Sequence, residues 1–467
     1  MRSTQIYHKF PTSFRSFAAS VWGYYLRWWR YGSETEAMVE ECLSRDNWSD
    51  DKWQSWQEER LACILHRAAT TVPFYRSIWN ERRKKGDKTS WEILENWPIL
   101  TKELLRSNDP RSFLTSDQNP KYLYAEHTSG TTGTPLTIYN SRKTLQKWYS
   151  IYEARIRRWN EVSRNDRWGI IGGQLVVPQT QVKTPFWVWN QGLNQLYLSA
   201  YHISSNTTQN YIEAIKKYEL VYLLSYPSSL YSIAQDALTK KIIPPSLKVI
   251  ISNAEPLYSW QKETIENFFQ CPVRNTYGMS EIVIAASECS AGKLHLMPDV
   301  GITEVLEFET DEPVKPWETG RLICTGLLNQ DMPLIRYEVG DTGAINNSVK
   351  TCSCSRNLPI ITNIEGRIDD LIITPAGRHI GRLDPVFKAD FQIKEAQIVQ
   401  EEIDVLKVYV VPSTGFNKKE KNRIQNSIQQ YVGNEMSVFI CTVNEISRTK
   451  SGKFKAVVSK LKNDLPK

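Results

Sequence analysis

His127-Thr128-Ser129-Gly130-Thr131-Thr132-Gly133-Thr134-Pro135 is the stretch from which the rest of the chain is best read. Its glycines allow sharp turns that present successive backbone N–H groups. The hydroxyls of Thr128, Ser129, Thr131 and Thr132 add donors, so the segment can wrap a polyphosphate. It is not a Walker loop, because GxxxxGK[ST] is absent. Taken alone, a run of Ser, Thr and Gly is more often a flexible linker, so its surroundings decide.

From Tyr122 to about Ile364, apolar strand-like runs alternate with helical patterns. WGIIGGQLVV (168–177) and LKVIISNAEP (247–256) read as strand then turn, WQKETIENFF (260–269) as helix and RLICTGLL (321–328) as strand. This alternation predicts an α/β fold built as α+β layers with some antiparallel sheet. Upstream, Ser33 to Tyr75 looks helical, with Asp50 and Asp51 as caps of WQSWQEERLACILHRAAT and Pro73 as its end. A basic hinge-like stretch follows from Glu81 to Lys88, and WPILTKELLR reads as a turn entering another helix. From Asp370 to the end, EAQIVQEE and VLKVYVV read as strands and KKEKNRIQNSIQQYV as a helix. The boundary is expected near Gly366.

The 467 residues are 41% hydrophobic and 23% charged, an ordinary globular composition that excludes a collagen, a disordered tail or a small disulfide scaffold. No apolar run approaches the ~20 residues of a spanning helix. A net charge of +7 over this length does not by itself imply nucleic acid, and no nucleic-acid partner is expected. It suits anionic small substrates or a nearby anionic membrane surface. Cys42, Cys63, Cys271, Cys324 and Cys441 read as reduced thiols, which points to a reducing, cytoplasmic setting. Residues 10–30, FPTSFRSFAASVWGYYLRWWR, have a short apolar centre that runs into Arg27, Trp28, Trp29 and Arg30, unlike an export signal. Phe14, Phe17, Val21 and Trp28 stand at helical spacing. The expectation is a helix that packs this stripe on its own protein, since such stripes are usually core. The other reading, contact with the inner membrane face through Trp and Arg, is confined to this N-terminal segment.

TSGTTGTP resembles the signature loop of the adenylate-forming superfamily, and further motifs follow in that family's order. Asn253-Ala254-Glu255-Pro256 resembles the turn beside the adenine, and Tyr277-Gly278-Met279-Ser280-Glu281 the YGxSE motif. Arg336-Tyr337-Glu338-Val339-Gly340-Asp341 resembles RYxxGD, Gly366-Arg367-Ile368-Asp369-Asp370 resembles GRxDD, and Arg448-Thr449-Lys450-Ser451-Gly452-Lys453 the C-terminal RTxSGK. Singly, each of these is as readily a turn, a strand end or a surface loop. Their order along the chain favours the functional reading. VPFYRSIW, WPILTKELLR and the CSCSRNLP run resemble the branch of phenylacetate–CoA ligases and CapK-type proteins of capsular polysaccharide clusters.

The resemblance implies a large adenylation domain and a small mobile C-terminal α+β domain. The expected division is 1–120 as the helical N-terminal part of the large domain, 121–366 as its nucleotide- and acid-binding core and 367–467 as the mobile domain. It implies ATP and Mg²⁺. Thr128, Ser129, Gly130, Thr131, Thr132 and Gly133 would hold the β- and γ-phosphates, with Thr132 counted among the catalytic residues. Tyr277 would lie on the adenine within a nucleotide site that includes Gly278, Ser280 and the turn 253–256. Glu281 would hold Mg²⁺, a hard cation that prefers carboxylate oxygen. Asp341 and Arg367 would take the ribose and phosphate side, and Asp369 would be the hinge. Lys453 would be the point charge between carboxylate and α-phosphate. Two departures stand out: Thr134 replaces the Lys that commonly ends the loop, and Ile446-Ser447 precedes Arg448 without the usual Pro.

Cys289, His295, Cys352 and Cys354 read as a possible structural zinc set, C-x₅-H followed by C-x-C. The resemblance adds weight, since some members of the branch look as if they hold zinc at matching positions. Four ordinary reduced residues are the plain alternative. Tyr226, Pro227 and Asn253 are expected to line the acid pocket, and His127 is either near the carboxylate or a backbone support. The expected activity is formation of an acyl-adenylate from a carboxylic acid, then transfer to the CoA thiol. The alternatives are transfer to a sugar acceptor in polysaccharide assembly and a nucleotide-binding scaffold without catalysis.

Overall fold

The computed structural model describes residues 7–127, 136–178, 180–346, 352–365, 372–375, 379–380, 391–433, 435–447 and 455–461. The chain divides into two compact units. The first comprises Met1–Leu257, Gln261–Val339 and Gly343–Asn363, and the second Tyr258–Trp260, Gly340–Thr342 and Ile364–Lys467.

The first unit holds a mostly parallel six-stranded sheet in the spatial order Trp187–Asn190, Gln195–Ser199, Trp168–Gly172, Tyr222–Ser225, Val249–Ser252, Val273–Arg274. YLLS (222–225) and VIIS (249–252) are buried at every position, as strands covered on both faces must be. Leu223 and Ile250 face one core layer with Tyr211, Ile212, Leu230 and Ile233 from the helices Thr208–Lys217 and Pro227–Thr239. Tyr222, Leu224, Val249 and Ile251 face the opposite layer with Leu145, Ile151 and Trp29. A seven-stranded sheet runs in the order Gly301–Leu306, Gly320–Gly326, Tyr337–Asn346, Ile360–Glu365, Leu294–Leu296, Ala285–Glu288, Thr276–Gly278. The second unit is a four-stranded sheet, Ser437–Thr442, Val405–Pro412, Ile393–Glu402, Val457–Ser459, covered by the helix Lys418–Val432. Asn417 caps that helix by accepting from the N–H groups of Lys419 and Glu420, and Ile424, Ile428 and Val432 repeat every four residues on its buried face. The mixed layers and the separate C-terminal unit agree with the expected fold class.

Local expectations need correction upstream. Ser49, not Asp50 or Asp51, is the N-cap of the helix Asp50–Thr71, and the two acids sit in its first turn. Pro73 does not merely end that helix; it opens the next, Pro73–Lys84, where a fixed φ suits the first position. Residues 81–84 of the expected hinge therefore belong to a helix.

The N-terminal helix, Thr12–Arg30, also departs from expectation. It covers the exposed edge of the strand Trp187–Asn190: the Trp189 N–H donates to Ser16 Oγ (3.3 Å) and the Gln191 N–H to Ser20 Oγ (3.0 Å). Gly23 allows this approach, since a Cβ there would stand 1.8 Å from Asn190 Oδ1. The inward face carries Arg15, Gly23, Leu26 and Trp29. The stripe expected in the core is outside: Phe14 is 45%, Phe17 63%, Val21 55% and Trp28 52% exposed. Serines and a glycine make the inner seam because it hydrogen-bonds a sheet edge at short range, which bulky aromatics cannot do. No helix of the described residues is long and apolar enough to cross a membrane.

Candidate active site and metal cluster

In an open α/β sheet, ligands bind at the carboxyl ends of the parallel strands. Here those ends are Gly172, Ser225 and Ser252. The ring of Tyr226 lies beside Gly172, where a Cβ would meet it at 3.7 Å. Asn253 follows Ser252 and donates its N–H to Ser225 O (3.0 Å); Ala254 then takes a left-handed φ of 62°. Asn253 Oδ1 is buried without a hydrogen-bond partner among the described residues, an acceptor that a ligand N–H would satisfy. Glu255 caps the helix that starts at Pro227, accepting from the Ser228 N–H at 3.1 Å. Its carboxylate therefore has a structural duty beyond the nucleotide-side one expected for it.

This turn is tied to the next motif. Thr276 Oγ1 donates to Ser252 O (2.5 Å), and Ser252 Oγ donates to Asn275 Oδ1 (3.0 Å). Tyr277 and Gly278 lie on the strand paired with Ala285–Glu288, Tyr277 half-buried and Gly278 exposed. Ser280 and Glu281 fall in the connection between the two strands, so 253–256 and 277–281 form one rim. Glu281 is 6% exposed. Tyr337 Oη donates to its Oε1 at 3.0 Å, and Lys102 Nζ stands 3.9 Å from the same oxygen. Burial, opposed by Arg30 and reinforced by the Glu281 carboxylate, holds Glu126 above the ordinary carboxylate range. Glu126 belongs to the strand Tyr124–His127, which pairs with Thr137–Asn140 and brackets the loop 128–135. His127 Nδ1 is 3.1 Å from Thr137 Oγ1 across those paired strands.

Lys102, Glu126 and Tyr337 went unassigned in the sequence. Tyr337 lies inside RYEVGD and was readable there as a residue next to the motif's Arg; the other two carry no spacing signal. Arg336 is structural: it pairs with Glu304 at 3.0 Å and donates to the carbonyls of Glu95 and Trp97. Asp341 lies on the strand Tyr337–Asn346, directly after Gly340 at a φ of 81°. Thr128, Ser129, Gly130, Thr131, Thr132, Gly133, Arg367, Asp369 and Lys453 lie outside the described residues.

The cysteine set does come together. Cys289, His295, Cys352 and Cys354 place one donor atom each within 4.8 Å of the others. Cys289 Sγ is 3.6 Å from Cys352 Sγ, Cys352 Sγ 3.2 Å from Cys354 Sγ, and Cys354 Sγ 3.4 Å from His295 Nε2. A disulfide needs about 2.05 Å. A tetrahedral ion with arms of about 2.0–2.3 Å sets its donors roughly 3.5–3.8 Å apart, close to these spacings. Cys289 and His295 flank the turn between Ala285–Glu288 and Leu294–Leu296, where Gly292 supplies a φ of 74°. His295 Nδ1 lies 2.9 Å from Leu358 O. A carbonyl can only accept, so Nδ1 carries the proton and the Nε2 lone pair faces the sulfurs, the metal-ready tautomer. Burial alone would raise the Cys289 thiol, but hydrogen bonds from the Lys293 and Ala291 N–H groups and the neighbouring cysteines hold it below its ordinary value. Burial pushes Cys352 up to about 11. Trp159 meets the His295 ring edge-on and donates its indole N–H to Asp46, whose backbone carbonyl accepts from the Asn357 N–H. That second layer anchors the CSC segment from behind.

The carboxyl ends of a parallel sheet, rimmed by YGMSE and followed by a separate C-terminal unit, are the arrangement of an adenylate-forming ligase of the CoA-ligase-like type. The pattern of the AMP-binding enzyme family matches residues 54–329, over half of the chain, and the chain belongs to that family. ATP is the nucleotide this membership implies. The pattern of the CapK C-terminal domain matches residues 372–460. Protein CapK of Staphylococcus aureus is 26% identical over 465 residues, covering 98% of this chain and 99% of its own. Phenylacetate-coenzyme A ligase of Thermus thermophilus is 24% identical, covering 87% of this chain and 96% of its own. Among solved structures, 2-hydroxyisobutyryl-CoA ligase in the postadenylation state in complex with R3-HIB-AMP superposes with a TM-score of 0.69 at 19% identity, over 89% of this chain and 91% of that one. That likeness concerns the fold.

Proposed function

We propose that this protein activates a carboxylic acid with ATP and passes the acyl group to the thiol of CoA. A carboxylate oxygen attacks the α-phosphorus, the α–β phosphoanhydride bond breaks and pyrophosphate leaves. The thiolate sulfur then attacks the acyl carbon and AMP departs. The charge that develops sits on phosphoryl oxygens, so catalysis is positioning plus electrostatic stabilisation. Asn253 Oδ1 accepts from the adenine amino group and Tyr277 lies on the ring face. The loop 128–133 holds the β- and γ-phosphates, Asp341 and Arg367 take the ribose and phosphate side, and Lys453 stands at the α-phosphate. Glu281 is the carboxylate that would hold Mg²⁺, with Tyr337 fixing its orientation; when bound, the ion neutralises phosphate charge. Residues 1–366 form the large domain, with 1–120 as its helical part and 121–366 as its core. Residues 367–467 swing at Asp369 between the two half-reactions. Cys289, His295, Cys352 and Cys354 hold a structural zinc ion that fastens the strand after YGMSE to the segment before Leu358.

The observation that carries the reading is the orphan acceptor of Asn253 on the same rim as Tyr277 and the buried Glu281. The test is pyrophosphate exchange over a library of carboxylic and amino acids, followed by CoA-dependent AMP release with the acids that respond. Exchange and AMP release with at least one acid are expected. No exchange with any acid, together with ATP binding, would leave a non-catalytic scaffold. A second reading keeps the adenylation step and changes the acceptor to a sugar hydroxyl or amine. The CapK C-terminal match over 372–460 favours it, because this part of the chain follows the hinge. Exchange without CoA-dependent AMP release would select it.

A further inference from the structure

We propose that the outer face of the helix Thr12–Arg30, with the loop residues 174–178 and 180–183 beside it, seats this protein on an anionic lipid surface. Of the eighteen large apolar side chains exposed among the described residues, eight fall between Phe10 and Trp28. Phe14, Phe17, Val21, Tyr24, Tyr25 and Trp28 lie on one arc of roughly 100° at 3.6 residues per turn, opposite the seam that grips the sheet edge. The loop is fixed alongside: Tyr7 Oη donates to Val176 O (3.2 Å), and Arg15 Nη2 donates to Gln181 Oε1 (3.0 Å). It adds Leu175 at 42% and Val182 at 86% exposure next to the helix.

Charge selects the occupant. No Asp or Glu occurs from Met1 to Ser33, while Arg2, Lys9, Arg15, Arg27 and Arg30 do, and none occurs between Asp166 and Glu213, where the loop carries Lys183. Lys9, Arg27 and Lys183 are exposed. A second copy docking by this carboxylate-free, cation-bearing segment would set positive charge near positive charge, because a two-fold interface matches a patch with itself. An anionic bilayer instead pairs them with phosphate, takes the Phe and Val side chains into its boundary and leaves Trp and Tyr at the headgroup level. The helix is attached by hydrogen bonds and the Gly23 contact, so the seat moves with the first unit as one piece.

The test uses the full chain and two vesicle preparations, phosphatidylcholine alone and phosphatidylcholine with phosphatidylglycerol. Sedimentation with the anionic vesicles is expected, weakened by high salt. Phe14→Ser/Phe17→Ser/Val21→Ser should weaken it by at least about tenfold, and Lys9→Glu/Arg27→Glu comparably, with unchanged melting temperatures because all five side chains face solvent. A second readout needs no substitution: tryptophan emission of the unaltered chain should shift to the blue on anionic vesicles only. Absence of sedimentation, equal sedimentation with both vesicles, or undiminished sedimentation of the triple variant would overturn the proposal. So would a concentration-dependent dimer that the triple variant abolishes while vesicles bind nothing.

Discussion

Replacing Cys354 with serine takes one corner from the cluster of Cys289, His295, Cys352 and Cys354. Its sulfur stands 3.2 Å from Cys352 Sγ and 3.4 Å from His295 Nε2, so together with Cys352, 3.6 Å from Cys289 Sγ, it joins the CSC segment to the hairpin. Serine offers a hard, protonated oxygen where a borderline-soft ion prefers thiolate. The rest of the segment remains anchored, since the Asn357 N–H still reaches Asp46 O and the Leu296 N–H still reaches Pro359 O. The variant is therefore expected to fold and to lose the ion rather than the scaffold. At free zinc about 1,000-fold above its dissociation constant, the ion stabilises the native state by about 4 kcal/mol. At roughly 2 °C per kcal/mol for a unit of this size, the melting temperature should fall by about 8 °C. The assay is metal analysis of protein purified without chelator, with thermal unfolding of both forms before and after chelation. Wild-type protein should carry one zinc per chain, Cys354→Ser close to none, and chelated wild type should melt near the variant. A wild-type stoichiometry near zero, or a variant that keeps its ion and its melting temperature, would refute the assignment.

The remaining expectations concern the rim and the nucleotide. Lys453→Ala should slow pyrophosphate exchange about 100-fold while transfer from a preformed adenylate is largely kept; equal loss of both steps would contradict a two-pose cycle. Glu281→Gln should lower exchange by at least about tenfold, whereas Tyr337→Phe, which removes one hydrogen bond, should cost about fivefold. Glu126 is held above its ordinary 4.5 by burial, so its native form retains the proton more readily than the unfolded chain does. Stability from that preference is lost as pH rises through 4.5 and above. Glu126→Gln should accordingly melt higher than wild type at neutral pH, with the difference vanishing below that value; a gap that is constant with pH would argue against it.

The strand VIIS was legible because a strand covered on both faces needs a continuous apolar run. The helix 418–432 was legible for a similar reason, its apolar residues recurring at one helical face. The motifs at 253–256 and 277–281 were readable as words, and the family resemblance they carry implied one nucleotide site. The N-terminal stripe misled. A pattern of aromatic residues at helical spacing says that one face differs from the other, and nothing in it says which face the protein covers.

Sequence alone pointed to the class of enzyme, since six motifs standing in the order of the adenylate-forming superfamily carry that resemblance, while each motif by itself is as readily a turn or a surface loop. It also marked four residues with the right donors for a metal. Only the tertiary structure decided that Cys289 and His295 reach Cys352 and Cys354, which stand some sixty positions away, because strand pairing of His295 with Ile360 brings the two segments together. Only it found Tyr337 and Lys102 beside Glu281, and turned the aromatic stripe outward, because the serine and glycine seam had a sheet edge to satisfy. Periodicity fixes what a segment can bury; which partner it meets depends on hydrogen bonds and contacts between residues far apart in the chain.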